Sequence, residues 1–536
     1  MKLTFTLIAL CFYCFLHAQK AGTLDKSFGD SGKVLISFNN TELQCFASAI
    51  QKDNKTIVVG EYDSASNNFF LNGFLVLRYL PSGVLDKSFG NNGRVIINFG
   101  YDLQVADAVV VQEDGKIVIT GYSVSGFFDV NYDIPMARLN TDGSLDSSFG
   151  NNGKVITDFS DGDNASSVCL QEDGKIVVGG YYNKVDFLLI RYNTNGSLDS
   201  SFGNKGKVIK MFSEISSIAS VAIQPDGKIV AGGLTDAGNS KFEIGRYNSN
   251  GTPDSAFGIN GFVTTDYGAN SDQIFKIIIQ PDKKIIAVGG TGLNFDTKHE
   301  YIAVARYKSN GDLDSTFGIN GKSTLQYPNE RATGYNAVLQ SDDKLIVTGP
   351  LTSNIDVDYL LVRLKTDGSI DSSFGTNGSV ITDFSELYDV PWGIGIRSDN
   401  IIVAAGSSQL YDPTSIFDVS LAAYNEFGKK QIIIQKIKHY IATHNDAQAT
   451  TLNNVFIYPN PAQNILHVEG LSSNAKLTVV DFAGNVIVSR ELSPVPSNTG
   501  VVSNEYDLNI SSLHAGNYLL KIEKNGEVVT KQFVKE

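Results

Sequence analysis

An eight-residue pattern, D-x-x-F-G-x-x-G, recurs seven times along the chain and constrains the fold more than any other feature of the sequence. Successive copies follow one another at intervals of 53 to 61 residues. Regular self-similarity of this kind is typical of proteins built from stacked supersecondary units. The aspartates that begin the copies are Asp25, Asp86, Asp146, Asp199, Asp254, Asp314 and Asp371.

Two further motifs accompany the pattern in the first six repeats, and the seventh repeat carries degraded copies of both at residues 397–406 and 420–428. The motif Q-x-D-G-K-I-V-x-G-G occurs, for example, at residues 171–180, and an apolar run that ends in R-Y-N-x-x-G occurs at residues 187–196. Together they divide each repeat into four short apolar runs separated by turn residues, without helical periodicity. Four antiparallel strands per repeat, arranged radially, predict an all-β fold, namely a β-propeller.

The number of blades depends on how the two ends of the array fit together. The chain enters through one strand at residues 32–38 and leaves with three strands between residues 392 and 424. If the first strand completes the last sheet, residues 22–435 form a seven-bladed propeller that closes without an open edge. The segment QIIIQ at residues 431–435 competes for this position, but only the N-terminal strand keeps the full repeat motif.

The repeat motifs also resemble a known family. The combination of LDxSFGxxGxV with QxDGKIxVxG resembles the delta-60 repeat, a bacterial β-propeller repeat, over roughly residues 22–428. The resemblance implies a propeller fold but no single activity, because propellers carry many unrelated functions.

We interpret the repeated residues as structural, because every repeat needs them equally. The motif aspartates should accept hydrogen bonds from neighbouring backbone N–H groups. Phe149 and its equivalents should be buried between blades, and Gly150 and its equivalents should adopt positive φ in tight turns.

Acidic residues raise the alternative of a bound cation. The spacing of Asn140, Asp142 and Asp146 is faintly similar to that of acidic calcium loops, but the terminal Glu of an EF-hand loop is missing. Because turns themselves favour aspartate, we expect turn chemistry, with no metal and no cofactor. A second set of turn aspartates would ring one mouth of the channel: Asp53, Asp114, Asp173, Asp226, Asp282, Asp342 and Asp399.

The remaining loops vary in length and sequence and should share the face opposite the repeat-motif turns. They combine Tyr, Phe, Asn and Asp with the single Trp of the chain, a composition that suits a sugar or a peptide. The alternative is that they are simply variable surface. The candidate ligand-binding residues are Phe69, Phe70, Phe127, Phe128, Tyr132, Tyr335, Trp392 and Tyr411.

The sequence contains no recognised catalytic motif. HExxH, GxSxG and phosphate-binding glycine loops are missing, and His439 and His444 lie in a polar stretch without a neighbouring Cys. We therefore assign no catalytic residue and favour a non-enzymatic binding or adhesion scaffold with a glycan or peptide ligand. The alternative is a hydrolase or lyase of extracellular polysaccharide, whose paired carboxylates would meet only in the folded protein.

Charge and the N-terminal segment indicate the cellular location. The net charge of -14, without a basic cluster, excludes a nucleic-acid partner. Residues 1–18 combine Lys2 with an apolar run too short to cross a bilayer comfortably, which predicts a secretory signal peptide and no transmembrane segment. Outside this segment, Cys45 and Cys169 are expected to be buried free thiols.

The last part of the chain departs from the repeat pattern. Residues 436–454 are polar and predict a linker, and alternation in residues 455–536 predicts a small immunoglobulin-like β-sandwich. The segment YPNP at 458–461, Leu513, GNY at 516–518 and the basic end at 531–535 resemble the type A C-terminal sorting domain of the type IX secretion system of Bacteroidota. This resemblance implies a partner, the type IX secretion machinery, and a protein secreted or held on the outer-membrane surface after periplasmic transit.

Overall fold

A computed structural model of the chain describes two compact parts, Met1–Ile432 and Ile433–Glu536. The described residues are 20–38, 41–64, 72–125, 131–159, 162–183, 186–212, 215–236, 240–268, 271–293, 300–353, 356–384, 388–409, 417–426, 456–458, 465–469, 475–480, 486–491, 505–514, 516–524 and 527–535. Strands and turns, without a helix, make up these ranges. The predicted signal peptide, the linker at 436–454 and the segment QIIIQ lie outside the described residues.

The N-terminal part consists of groups of four strands. Groups 1 to 3 are β2 (Thr41–Ile50), β3 (Thr56–Ser64), β4 (Gly73–Tyr79), β5 (Arg94–Ile97); β6 (Leu103–Val111), β7 (Ile117–Ser125), β8 (Asn131–Leu139), β9 (Lys154–Thr157); β10 (Asn164–Leu170), β11 (Ile176–Tyr182), β12 (Asp186–Tyr192) and β13 (Lys207–Lys210). Groups 4 and 5 are β14 (Ile215–Ile223), β15 (Ile229–Asp236), β16 (Lys241–Tyr247), β17 (Phe262–Thr265); β18 (Asp272–Ile279), β19 (Ile285–Thr291), β20 (Tyr301–Tyr307) and β21 (Lys322–Leu325).

Groups 6 and 7 share one nine-stranded sheet through a single parallel pair, Val357 with Tyr388. Group 6 is β22 (Arg331–Ala332), β23 (Asn336–Leu339), β24 (Leu345–Thr352), β25 (Val357–Leu364) and β26 (Ser379–Thr382), with the first two strands pairing with β24. Group 7 is β27 (Tyr388–Ile396), β28 (Ile401–Gln409), β29 (Phe417–Asn425) and the N-terminal β1 (Lys33–Ile36). No sheet within the described ranges closes on itself.

The N-terminal strand completes the last group, as the sequence predicts. β1 runs antiparallel to β29, with Lys33 opposite Ala422 and Ile36 opposite Val419. The first and last groups also touch, because the Cys45 N–H donates to Ser407 Oγ at 2.9 Å and the Ser398 N–H donates to Asn54 Oδ1 at 2.8 Å. The two ends of the array therefore meet through both strand pairing and side-chain contact.

A buried ionic contact joins neighbouring groups at the repeat-motif turns. In group 2, Arg138 Nε lies 2.7 Å from Asp146 Oδ2, and the other carboxylate oxygen accepts from the N–H of Ser148 at 3.1 Å. Arg138 Nη1 also donates to the carbonyl oxygen of Thr194 in group 3 at 2.5 Å. Lys116, from the first turn, adds a 2.9 Å ion pair to Asp146, which places both kinds of turn on one face.

The ring of Phe149 lies beneath this contact. Phe149 is fully buried and belongs to an apolar cluster that draws on groups 2 and 3. The Arg138 guanidinium carbon lies 4.5 Å from the ring centroid. Gly150 has φ of +53°, and a Cβ there would meet the carbonyl oxygen of Lys154 at 2.2 Å, so only glycine fits the turn.

Cys45 and Cys169, the cysteines within the described ranges, are both free thiols. Cys45 is buried, whereas Cys169 is only half-buried, so the expectation of two buried thiols is correct for the first and too strong for the second. Burial raises the pKa of the Cys169 thiol to about 12, which keeps it neutral.

The C-terminal part contains two sheets around one apolar cluster. β30 (Phe456–Tyr458), β31 (Ile465–Glu469) and β34 (Glu505–Asn509) form one, and β33 (Val486–Glu491), β32 (Lys476–Val480), β35 (Gly516–Lys524) and β36 (Glu527–Lys535) form the other. Leu466 and Leu508 of the first sheet are buried in the same cluster as Val479 and Leu520 of the second. This part therefore has its own core.

Because the ionic contact is buried, we expect the removal of one partner to lower the stability of the protein strongly. In group 3, Asp199 lies 2.8 Å from Arg191 Nε, and both side chains are more than nine-tenths buried. Asp199→Asn should lower the free energy of unfolding by about 3 kcal/mol, because it leaves the Arg191 charge buried without its carboxylate. Chemical denaturation measures the change.

The matched control is Asp173→Asn in the neighbouring turn, where the carboxylate is 56% exposed and pairs with Lys175. This change should cost less than about 0.5 kcal/mol. Equal effects of the two substitutions would contradict a structural role for the buried pair.

A second prediction concerns Glu243, which lies in β16 and is 3% exposed. Burial raises the pKa of its carboxyl to about 7, although a 2.7 Å hydrogen bond from Thr264 Oγ1 and the charge of Lys210 act in the opposite direction. A raised pKa means that the stability contributed by the protonated acid is complete below about pH 4.5 and is lost as the pH rises through 7. Glu243→Gln, which cannot ionise, should therefore be more stable than the wild type at pH 8, by up to about 3 kcal/mol, and similar at pH 4.5.

Thermal melting of both proteins between pH 4.5 and 8 tests this. Glu113→Gln is the control, because that side chain is 92% exposed. A pH-independent difference between Glu243→Gln and the wild type would contradict the raised pKa.

Candidate functional site

The first strand of each group lines an axial cavity of about 380 Å³. Six of these strands carry a register shift at the same place, which pushes one residue out of the ladder. In group 6 the strand is interrupted there instead, and the Tyr335 N–H donates to the carbonyl oxygen of Thr348. We call the residues at this place the bulge position: Phe46, Asp107, Ser166, Ala219, Phe275, Tyr335 and Trp392.

Four consecutive bulge-position residues form an aromatic wall. The rings of Tyr335 and Trp392 stack with centroids 4.5 Å apart and planes 13° apart. Phe275 lies 4.9 Å from Tyr335, and Phe46 meets Trp392 edge-on at 5.8 Å. All four are half-buried, so the wall presents an apolar surface to the cavity.

The other three bulge positions are small or polar. Asp107 stands among neutral polar side chains that also line the cavity, including Asn164 and Ser167. Burial, reinforced by the Glu61 carboxylate, raises the pKa of Asp107 to about 7, against an opposing contribution from Asn164. Burial together with Glu42 and Asp63 likewise raises the pKa of Glu61 to about 7.

Tyrosines surround these two carboxyl groups. Tyr181 lines the cavity, and burial with the nearby Tyr132 and Asp107 raises its pKa to about 12. Tyr122 lies 5.8 Å, centroid to centroid, from Tyr132, and burial and the charges of Asp107 and Glu61 raise its pKa. Phenol and carboxylic acid groups that stay protonated near neutral pH can donate hydrogen bonds to a ligand.

Of the candidate ligand-binding residues, the structure describes three, and two of these line the cavity. Tyr335 and Trp392 line the cavity and stack on one another. Tyr132 contacts Tyr122 instead. The others lie outside the described residues: Phe69, Phe70, Phe127, Phe128 and Tyr411.

Sequence reasoning missed Phe46, Phe275 and Asp107, because it considered loops and not the first strand. A signal was present, since each bulge-position residue lies five places before the first residue of the Q-x-D-G-K motif or its degraded last copy. The spacing is constant while the residue type changes from repeat to repeat.

The acidic residues that raised the question of a cation have partners within the protein. Asp142 accepts hydrogen bonds from the N–H and hydroxyl of Ser144, and Asp114 accepts from the N–H of Lys116. Elsewhere, Asp358, Asp383 and Asp389 bring carboxylate oxygens within 4.8 Å of one another, a cluster that sequence reasoning did not single out.

Comparison with known proteins gives matches to family models in both parts of the chain. Residues 456–536 match the secretion system C-terminal sorting domain. Six segments match a β-propeller domain of unknown function (DUF5122): residues 51–89, 112–149, 171–202, 224–257, 280–317 and 340–374. No curated protein matches the sequence.

Similar solved structures share low sequence identity with the chain. A protein of unknown function from Dyadobacter fermentans is 10% identical, with a TM-score of 0.41 and coverage of 74% of this chain and 98% of that one. An ulvan lyase of polysaccharide lyase family PL25 is 10% identical, with a TM-score of 0.40 and coverage of 78% and 99%. PorZ, a surface component of the type IX secretion system of Porphyromonas gingivalis, is 8% identical, with a TM-score of 0.23 and coverage of 96% and 86%.

Among the described residues, no helix is long and apolar enough to cross a membrane. The sorting domain directs export through the type IX secretion system to the cell surface or beyond it. The chain is thus an exported protein that carries β-propeller repeats followed by a secretion sorting domain.

Proposed function

We propose that the chain is a seven-bladed β-propeller of delta-60 repeats from a member of the Bacteroidota, and that it binds a glycan in its axial cavity outside the cell. On this proposal the ring closes where β1 pairs with β29 and where group 1 contacts group 7. The immunoglobulin-like sandwich at 455–536 serves the secretion machinery, and the propeller is the binding scaffold.

The aromatic wall is the observation that carries the proposal. Sugar rings present apolar C–H faces that pack on aromatic side chains, and their hydroxyl groups need hydrogen-bonding partners beside that contact. The Tyr335–Trp392 pair supplies the first, while Asn164, Ser167 and Asp107 supply the second within the same cavity. The cavity volume lies within the usual range for small-molecule sites.

A glycan fits this lining better than an extended peptide. Peptides are commonly bound through exposed sheet edges or apolar grooves. Here the cavity offers mainly side-chain hydroxyl and amide groups beside the aromatic wall, which match the hydroxyl groups and apolar faces of a sugar. Peptide binding remains an outcome of the binding test.

The single tryptophan makes the cavity directly observable. Because Trp392 is the only Trp in the chain, a ligand that enters the cavity should change the intrinsic fluorescence of the protein. Titration with defined oligosaccharides and short peptides should give a saturable change with oligosaccharides. Tyr335→Ala should weaken that binding about tenfold or more, because it removes half of the stacked pair.

Ile259→Ala is the matched control, since Ile259 is 82% exposed in a repeat-motif turn. Calorimetry on the variants separates lost affinity from lost fluorescence. A saturable response to peptides only, or identical affinities for the wild type and Tyr335→Ala, would contradict the proposed glycan site.

A second candidate function, cleavage of the bound polysaccharide, is favoured by one observation. Asp107 lines the cavity, and the pKa values of Asp107 and of the neighbouring Glu61 are both raised to about 7, close to the pH at which a general acid or base is most effective. Chromatography of the oligosaccharide after prolonged incubation distinguishes the two functions, because shortened products would assign an enzyme and intact ligand a binding protein.

Removal of the sorting domain should change the cellular location of the protein. Deletion of residues 456–536 should leave the propeller folded and trapped in the periplasm of a host with the type IX system, since the C-terminal part has its own apolar cluster. Fractionation of the cells locates the protein, and its melting temperature reports folding.

Fusion of residues 456–536 to a periplasmic reporter is the complementary control, and it should export the reporter. Export of the truncated protein at the wild-type level would contradict the sorting role. Unfolding of the truncated protein would show that the propeller depends on the C-terminal part.

A further inference from the structure

One lysine lines the axial cavity. Lys276 follows Phe275 in β18, directly after the bulge position, and is half-buried. The residues at the same place in the other first strands are neutral and mostly small: Ala47, Ala108, Ser167, Ser220, Asn336 and Gly393. The charge is therefore specific to one blade and is not required by the repeat.

Nothing in the described part of the chain neutralises this charge. Lys276 forms no ion pair there and its ammonium group donates no hydrogen bond, whereas Lys116 of the repeat motif lies 2.9 Å from Asp146. Burial lowers the pKa of Lys276. A partly buried cation without a partner is unfavourable, so the free protein carries an electrostatic cost that a ligand could relieve.

The other ionisable groups near Lys276 do not supply the missing negative charge. Asp107 lines the same cavity but forms no ion pair with Lys276, and its raised pKa leaves it partly protonated near neutral pH. The Cys169 thiol lies close enough to Lys276 for their charges to interact, yet burial keeps it neutral. The cavity thus has one uncompensated positive site beside the aromatic wall.

We propose that the glycan bound in the axial cavity is acidic and that Lys276 binds its monoanionic group, either the carboxylate of a uronic acid or a sulfate ester. This inference rests on the proposed glycan-binding function and narrows its ligand class. Phe275 precedes Lys276 in the chain, so a sugar packed on the aromatic wall places an acidic substituent beside the ammonium group. A phosphate, with up to two charges, fits less well because Asp107 shares the cavity.

The test compares oligosaccharides that differ only in charge. The probes are uronic acid oligomers of several backbones, the same oligomers with each carboxyl group reduced to a hydroxymethyl group, and sulfated oligomers with their desulfated counterparts. Trp392 fluorescence and calorimetry measure the affinities. The wild type should bind at least one acidic oligomer about tenfold or more tightly than its neutral counterpart, the value of one charge-assisted hydrogen bond.

Lys276→Met removes the charge and keeps a long side chain. It should abolish the preference, so that the affinities for the acidic and neutral members of a pair converge. Lys52→Met is the matched control, because the Lys52 side chain is 75% exposed, and it should retain the preference. Comparison of the uronic and sulfated pairs identifies which anionic group is bound.

The outcomes separate this inference from the function on which it rests. Equal binding of acidic and neutral oligomers, or a preference that survives Lys276→Met, overturns the inference and leaves glycan binding intact. No response to any oligosaccharide overturns both, and a response to acidic peptides alone replaces the glycan with a peptide.

Stability of the free protein provides an independent readout. Because Lys276→Met removes an uncompensated charge, the ligand-free variant should melt at the same temperature as the wild type or higher. A clearly lower melting temperature, with the fold retained, would show that the protein itself stabilises the ammonium group and would remove the premise of the inference.

Discussion

A buried arginine–aspartate pair holds the array together at six of the seven repeat-motif turns, from Asp86 to Asp371. At the Asp25 turn, Ala423 stands at the place of the arginine. The aspartate of each pair fixes the turn through a backbone N–H group, and the arginine reaches the backbone carbonyl of the next group, as Arg138 does with Thr194. One ion pair therefore both fixes the turn and contacts the next group. Groups of strands that are joined by at most a single bridge need such a directional contact in addition to apolar packing, because packing alone does not fix their rotation.

This contact lies on one face and leaves the first strands free of the same constraint. At the bulge position the backbone geometry is repeated while the side chain changes, from Ala219 to Trp392. The bulge positions are therefore equivalent in backbone structure, and a side chain there can be replaced without disturbing the repeat-motif turns. A binding surface can therefore change while the fold is maintained.

The sequence was sufficient to predict the strands, because short apolar runs between Gly- and Asn-containing turns are typical of β-strands. It also identified the role of Phe149 and the pairing of β1 with the last strands, since motif copies can be counted. It did not reveal the contact of Arg138 with the Thr194 carbonyl in the next repeat, or the role of Phe46, which looks like an ordinary strand residue. Both depend on contacts between distant residues, and a local pattern contains no information on such distances. Trp392 was identified for its chemistry, but its stacking on Tyr335 across two groups became visible only in the folded chain.

The pairing of β1 with β29 also sets the order in which the molecule can become complete. The Asn425 side chain donates to the carbonyl oxygen of Thr23 across 402 positions of sequence. Contacts between such distant residues form late, because the intervening chain must first be ordered. During synthesis, β1 is made early and stays without its partner until the last group has been made. Group 7 is therefore the last group to gain its full set of strands, because β1 and β29 lie at opposite ends of the array.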